Sequence, residues 1–104
     1  MPTRIERLIC DKELTIGIIG LGYVGLPLCL AFTRNGFSVI GFDTNTNRCE
    51  EINRGISPFH HIDAIEIQKM LSEKFALAES YEEVAACEIV ILCLPTPLTW
   101  SKEP

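Results

Sequence analysis

The 104-residue sequence lacks any apolar run that approaches the ~18–20 residues of a membrane-spanning helix. Positive charge is also scarce, because nine Lys and Arg stand against 14 Asp and Glu, for a net charge of −5. This balance argues against nucleic acid and against an anionic membrane as partners. Residues 1–12 have neither the apolar core nor the cleavage site of a signal peptide, which predicts a cytoplasmic protein.

Cysteine is present, but without the spacing of a zinc site or a disulfide framework. The five cysteines are odd in number and form no CxxC pair: Cys10, Cys29, Cys49, Cys87 and Cys93. Cys29 and Cys93 fall inside predicted apolar elements, so we interpret them as buried core thiols. The adjacent His60 and His61 are expected to point apart and to make loop contacts. The sequence therefore assigns no catalytic residue and no metal ligand.

Hydrophobic residues make up 47% of the chain and charged residues 22%, a balance typical of one globular domain. Short apolar runs rich in β-branched residues predict buried parallel strands. They lie at residues 14–20, 37–42, 75–78 and 89–94. The last of these is the most apolar stretch of the chain, and we expect it to be buried.

Helical patterns separate the predicted strands. A weak helix is expected over residues 3–8, followed by helices over 23–35 and 46–54. Asp63 is expected to cap a further helix whose apolar residues are Ile65, Met70 and Leu71. Ser80 and Glu83 match a capping box for residues 81–86, and we interpret the acidic cluster Glu79, Glu82, Glu83 and Glu88 as a solvated helix face. Alternating strands and helices predict a parallel sheet with right-handed crossovers.

One glycine motif carries the chemistry. Residues 20–25 read G-x-G-x-x-G directly after a predicted strand and at the start of a predicted helix, and Asp43 ends the next strand. These conditions are typical of a dinucleotide fingerprint. Gly20 would permit the turn, Gly22 would leave room for the pyrophosphate and Gly25 would let helix and strand approach. Asp43 would accept the ribose hydroxyls and repel a 2′-phosphate, which favours NAD over NADP. The alternative is that these glycines merely pack a strand–turn–helix.

A more restrictive match extends this motif. Residues 16–28, IGIIGLGYVGLPL, resemble the opening of the UDP-glucose/GDP-mannose dehydrogenase family, the nucleotide-sugar 6-dehydrogenases. Further matches are GFD at 41–43, INRG at 52–55 and LPTPLT at 94–99. The segment 57–62, SPFHHI, is similar to a Ser-x-x-x-His-Ile stretch of the UDP-N-acetylglucosamine and UDP-N-acetylmannosamine dehydrogenase subgroup.

The resemblance implies a Rossmann-like parallel sheet with flanking helices, of the α/β class, truncated after about four strands in the order 3-2-1-4. Residues 1–104 would then form a single partial NAD-binding domain, with residues 1–12 as an N-terminal helical extension. Family members are several times longer, and the family's catalytic cysteine, lysine, asparagine and aspartate lie outside the matched part.

The resemblance also implies which residues hold NAD. They are Gly20, Gly22, Tyr23, Val24, Gly25, Asp43, Arg48, Pro95 and Thr96. Alternatives stay open for several of them: Tyr23 as a surface ring, Val24 as core, Arg48 as a solvated helix charge, and Thr96 as part of a rigid turn between prolines.

The function implied is oxidation of the C6 alcohol of a UDP-sugar, expected to be a UDP-N-acetylhexosamine, to the carboxylate with two NAD⁺, in the service of polysaccharide biosynthesis. The 104 residues alone are expected to be inactive. A non-catalytic dinucleotide-binding or regulatory module is the alternative, and another dehydrogenase with a similar first domain is a third interpretation that GLGYVGLPL and LPTPLT argue against.

The expected partners are a UDP-sugar, bound through parts of the enzyme beyond this sequence, and further copies of the chain. In the order 3-2-1-4, the strand at 89–94 lies at an edge and carries no charge, proline or bulge signal to protect it. We therefore expect a homo-oligomer or poor solubility.

Overall fold

A computed structural model describes residues 3–94 of the chain. The strands are β1 (Thr15–Ile19), β2 (Ser38–Phe42), β3 (Phe75–Leu77) and β4 (Ile89–Leu92). The α-helices are α1 (Arg4–Cys10), α2 (Gly25–Arg34), α3 (Thr46–Asn53) and α4 (Ala64–Ser72), and a 3-10 helix spans Tyr81–Ala86. Within residues 3–94, no helix combines the length and the apolar character needed to cross a membrane.

The four strands form one parallel sheet in the order β3-β2-β1-β4, which confirms the predicted topology. Ile18 of β1 lies opposite Gly41 of β2 and Ile91 of β4. All strands of a parallel sheet end at the same edge, so the residues that follow β1, β2 and β4 meet there.

The core lies between the sheet and its helices. Ile16 and Ile18 of β1 are fully buried, and they pack in one cluster with Leu26 of α2 and with Ile67 and Met70 of α4. A parallel strand covered on both faces must be apolar throughout, which is why residues 14–20 show no alternation.

Local hydrogen bonds fix where the helices begin. Thr3 and Glu6 form the capping box of α1: the Thr3 N–H donates to Glu6 Oε1 at 2.7 Å, and the Glu6 N–H donates to Thr3 Oγ1 at 3.1 Å. The Ser80 N–H donates to Glu83 Oε2 at 3.2 Å, which confirms that predicted cap. This capping box begins the 3-10 helix over Tyr81–Ala86.

The helix expected after Asp63 is present as α4, with Ile67 and Met70 buried and Ile65 75% exposed. Two expectations about side-chain burial are wrong. The strand β4 is only half-buried, with Val90 41% exposed. Cys93 follows β4 and is half-buried.

The acidic cluster is also more than a solvated face. Glu88 Oε1 accepts the Thr15 N–H at 2.6 Å, and Glu83 Oε2 accepts the Glu79 N–H at 2.6 Å. These carboxylates satisfy backbone donors at the start of β1 and ahead of the 3-10 helix, and so help to set the limits of both elements.

Candidate functional site

The loop from β1 to α2 turns so tightly that two of its glycines are required by packing. Gly20 has φ +99°, a conformation that side-chain-bearing residues rarely adopt. A Cβ on Gly25 would lie 1.7 Å from the carbonyl oxygen of Gly20, which no residue tolerates. Gly20 and Gly25 therefore bring the start of α2 against the end of β1.

Gly22, the middle glycine, is different. A Cβ built on Gly22 would meet only Arg48 Nη1, at 3.9 Å. The fold of the described residues therefore leaves open space beside Gly22. A ligand that approaches this backbone closely would need that space, whereas the folding of the loop does not.

The amino end of α2 faces the same space. Its N-cap, Val24, makes no side-chain capping bond, and the first turn holds no acidic residue. Pro27 lies in that turn, where its missing N–H costs little. The positive end of the helix dipole is therefore uncompensated by α2 itself, which suits a phosphate.

Asp43, directly after β2, joins the ends of two strands. Its Oδ2 accepts the Leu21 N–H at 2.7 Å, and its Oδ1 accepts the Asn45 N–H at 2.8 Å. Burial of the carboxyl acts to raise its pKa, but these two backbone donors and the Arg48 guanidinium outweigh burial and hold the pKa of Asp43 below its usual value. Asp43 is therefore a fixed anion at the edge of the glycine loop.

Arg48 comes to this carboxylate from the first turn of α3. Its Nη1 donates to Asp43 Oδ2 at 3.1 Å, and its side chain is 27% exposed. The start of α3 is fixed because Asn45 Oδ1 accepts the Arg48 N–H at 3.0 Å. The interpretation of Arg48 as a solvated helix charge is wrong.

Three rings pack together and form what we call the aromatic cluster: Tyr23, Phe59 and His61. The Tyr23 and Phe59 centroids are 4.6 Å apart, and His61 lies 5.8 Å from each of those rings. The Arg48 Cζ lies 5.4 Å from the Phe59 centroid. Tyr23 is 74% exposed, so it is a surface ring that is stacked rather than free.

Sequence reasoning missed this cluster. Phe59 and His61 lie in the segment 57–62 that carries the subgroup resemblance, but no periodicity in that segment predicts its contact with Tyr23 of the glycine loop. The one local signal is Ser57, whose Oγ accepts the Phe59 N–H at 3.2 Å and donates to the Phe59 carbonyl at 2.7 Å. Such a turn fixes the backbone that presents the Phe59 ring.

These parts surround an open cleft of about 870 Å³ at the carboxyl edge of the sheet, the size of a small-molecule site. Its lining includes six of the predicted residues: Gly20, Gly22, Tyr23, Val24, Asp43 and Arg48. Gly25 lies buried beneath them, and Val24, 63% exposed, is not core. Leu28 and Leu92 add apolar lining that the sequence did not predict. Pro95 and Thr96 lie outside the described residues.

The cysteines offer no activated thiol here. Cys29 is fully buried in the core, and burial raises the pKa of its thiol far above the usual range. Burial also raises the pKa of Cys49, whose Sγ lies 3.7 Å from the Asp43 carbonyl oxygen, and that of Cys93. A thiol with a raised pKa holds little thiolate, so these are poor nucleophiles. Residues 3–94 contain no group of three or more potential metal ligands.

The geometry fits a dinucleotide. Open space at Gly22 admits a pyrophosphate, the uncapped α2 terminus faces it, and the Asp43 carboxylate lies where a ribose diol is bound in folds of this topology.

Comparison with known proteins also indicates a dinucleotide-binding domain. Residues 14–104 match the UDP-glucose/GDP-mannose dehydrogenase family, NAD binding domain. The chain is 34% identical over 93 residues to UDP-N-acetyl-D-glucosamine 6-dehydrogenase of Pseudomonas aeruginosa, covering 89% of this chain and 21% of that protein.

Solved structures give the same answer. UDP-D-ManNAc dehydrogenase from Pyrococcus horikoshii superposes with a TM-score of 0.74 at 31% identity, over 82% of this chain and 21% of that one. UDP-glucose dehydrogenase from Pyrobaculum islandicum gives 0.73 at 29% identity, over 81% and 21%. The chain thus spans about a fifth of the length of these relatives. It belongs to the NAD-binding domain family of the UDP-glucose/GDP-mannose dehydrogenases.

Proposed function

We propose that this chain is the NAD-binding part of a nucleotide-sugar 6-dehydrogenase that oxidises the C6 alcohol of a UDP-sugar to the carboxylate. One observation carries the proposal: the Asp43 carboxylate is held against the glycine loop at Leu21, beside a Gly22 that the fold leaves open. Residues 1–104 would form one partial domain, with residues 1–12 as its extension.

Each residue has a proposed role towards the cofactor. Gly20 and Gly25 shape the turn, and Gly22, Tyr23 and Val24 present their backbone to the pyrophosphate. Asp43 accepts the adenosine ribose hydroxyls, with Arg48 beside it. The bound cofactor would supply the hydride acceptor, one NAD⁺ for each of the two successive oxidations at the sugar C6. The roles of Pro95 and Thr96 rest on the sequence resemblance alone.

A UDP-N-acetylhexosamine is the proposed substrate class. The support is the name of the relative from Pseudomonas aeruginosa and of the Pyrococcus horikoshii dehydrogenase. The SPFHHI segment, which supplies two rings of the aromatic cluster, is consistent with that subgroup. A cytoplasmic location, a role in polysaccharide biosynthesis and a homo-oligomeric state belong to the same proposal.

The 104-residue chain is proposed to bind the cofactor without turning over a UDP-sugar, because the resemblance places the family's catalytic residues outside the matched part and because burial raises the pKa of the Cys29, Cys49 and Cys93 thiols. A non-catalytic dinucleotide-binding module would also bind the cofactor without turnover, so this result alone does not separate the two functions. A longer form of the protein that oxidises UDP-N-acetylglucosamine would favour the enzyme.

The binding site is tested by two-dimensional amide NMR of the chain during titration with NAD⁺. We expect the amides of Gly22, Tyr23 and Val24 to shift most, and those of α1 to stay in place. Shifts confined to another surface, or none at millimolar cofactor, would contradict the proposed site.

A further inference from the structure

We infer that Phe59 is a positioning residue for cofactor selection: its ring holds the Arg48 guanidinium on Asp43 and away from the phosphate of a phosphorylated ribose. The inference rests on the proposed function, since it assumes that the ribose binds at Asp43. It extends that proposal to a residue in a different loop, 16 positions beyond Asp43.

Two neighbours hold the Arg48 guanidinium in place. One is Asp43, 3.1 Å from Nη1, and the other is the Phe59 ring, whose centroid lies 5.4 Å from Cζ. A cation over an aromatic face is attracted by the ring quadrupole, and a planar guanidinium stacks well there. The two contacts together restrict a long side chain that would otherwise sample many rotamers.

The Phe59 ring is itself held. Tyr23 packs against it at 4.6 Å, His61 lies 5.8 Å away, and Ser57 fixes its backbone through two hydrogen bonds. Because Tyr23 belongs to the glycine loop, the aromatic cluster ties the segment 57–62 to the same loop that Asp43 holds through Leu21. The Phe59 ring that contacts the Arg48 guanidinium is therefore itself held in place by its neighbours.

The position of Arg48 matters for cofactor choice. Leu21, Asn45 and Arg48 all donate to the Asp43 carboxylate, and Arg48 is the only one of the three that carries a charge. While the Arg48 guanidinium is paired with Asp43, it is unavailable to a 2′-phosphate. Freed from Phe59, the same guanidinium reaches rotamers in which it pairs with that phosphate and offsets the repulsion from Asp43.

The experiment compares the ratio Kd(NADP⁺)/Kd(NAD⁺) by calorimetry in wild type, Phe59→Leu and Phe59→Tyr. A surface cation–π contact predicts that Phe59→Leu lowers the ratio about three- to tenfold. Phe59→Tyr keeps a ring face and should retain the wild-type ratio. Circular dichroism establishes that each variant is folded.

The chain offers a matched control. Phe37 is a half-buried phenylalanine whose ring lies 5.9 Å from Lys12 Nζ, outside the cleft. Phe37→Leu removes the same kind of ring and cation contact, so it should leave the ratio unchanged. In an Arg48→Gln background, Phe59→Leu should no longer alter the ratio, because the ring would then have no guanidinium to hold.

A second readout needs no cofactor. Phe59→Leu should raise the pKa of Asp43, followed by carboxyl NMR, because the Arg48 pairing weakens. If wild type binds NAD⁺ but Phe59→Leu leaves the ratio unchanged, or alters it equally with Arg48→Gln present, only the positioning role is contradicted. If wild type binds neither cofactor, the proposed function fails, and the inference fails with it.

Discussion

The Asp43 carboxylate accepts the backbone N–H of Leu21 with 2.7 Å between Oδ2 and nitrogen, and so ties the end of β2 to the loop that follows β1. The bond spans 22 positions of sequence and joins the two parts of the proposed cofactor site. The group that would recognise the ribose thus also holds the loop that would hold the pyrophosphate. In the proposed site, Asp43 would therefore couple folding to binding.

This coupling predicts an acid-dependent loss of stability. The folded pKa of Asp43 lies below its unfolded value of about 3.9. Its contribution is therefore complete above that value and is lost as the pH falls through the folded pKa. At pH 7, Asp43→Asn should lower the free energy of unfolding by about 1.5–3 kcal/mol, since an amide cannot replace a charged acceptor of three donors.

Urea unfolding from pH 7 to pH 3 checks this prediction. The difference between wild type and Asp43→Asn should shrink as the carboxylate becomes protonated. The exposed Asp11 serves as the control, and Asp11→Asn should have little effect at any pH. A constant difference for Asp43→Asn across the range would contradict the assigned role of the charge.

The glycines of the loop should separate folding from binding. Gly25→Ala forces a Cβ onto the Gly20 carbonyl, so we expect a loss of about 3 kcal/mol in the free energy of unfolding. Gly22→Ala meets no close atom, so stability should stay within about 0.5 kcal/mol while NAD⁺ affinity falls at least tenfold. Thermal melts and calorimetry measure both. Unchanged NAD⁺ affinity in Gly22→Ala would contradict the proposed position of the pyrophosphate beside Gly22.

Thiol chemistry should follow burial. Cys10 is exposed, whereas Cys29 is fully buried with a raised pKa. Iodoacetamide under native conditions should therefore label Cys10 first and Cys29 last, as followed by peptide mass spectrometry. Rapid labelling of Cys29 in the folded chain would mean that this thiol is accessible, and would contradict the interpretation of it as a core residue.

The edge strand β4 should drive self-association. Among residues 3–94, β4 pairs with β1 and with no other strand, and Val90 is 41% exposed. An apolar edge of this kind recruits a second chain. Val90→Lys should shift light scattering towards the monomer, whereas Ile65→Lys, at a 75% exposed position on α4, should not. A wild type that is monomeric at high concentration would show that the edge is tolerated.

Sequence patterns were sufficient for a parallel sheet and for the glycine loop, because buried parallel strands and a phosphate loop impose strong local constraints, whereas the strand order came from the family resemblance. The apolar character of β4 was misleading, since composition alone does not say which neighbours cover a strand. Ile65 lies off the face of α4 on which Ile67 and Met70 pack against the core, so its apolar character did not indicate burial. The Phe59 ring on Arg48 was beyond prediction, because the contact joins a loop without periodicity to a helix through tertiary packing.

The most direct test of the proposed cofactor site is a calorimetric titration of the 104-residue chain with NAD⁺ and, separately, with NADP⁺. We expect NAD⁺ to bind and NADP⁺ to bind at least tenfold more weakly, because in the proposed site the Asp43 carboxylate would accept the ribose hydroxyls and would repel a 2′-phosphate. NADP⁺ binding that equals or exceeds NAD⁺ binding would contradict the role assigned to Asp43.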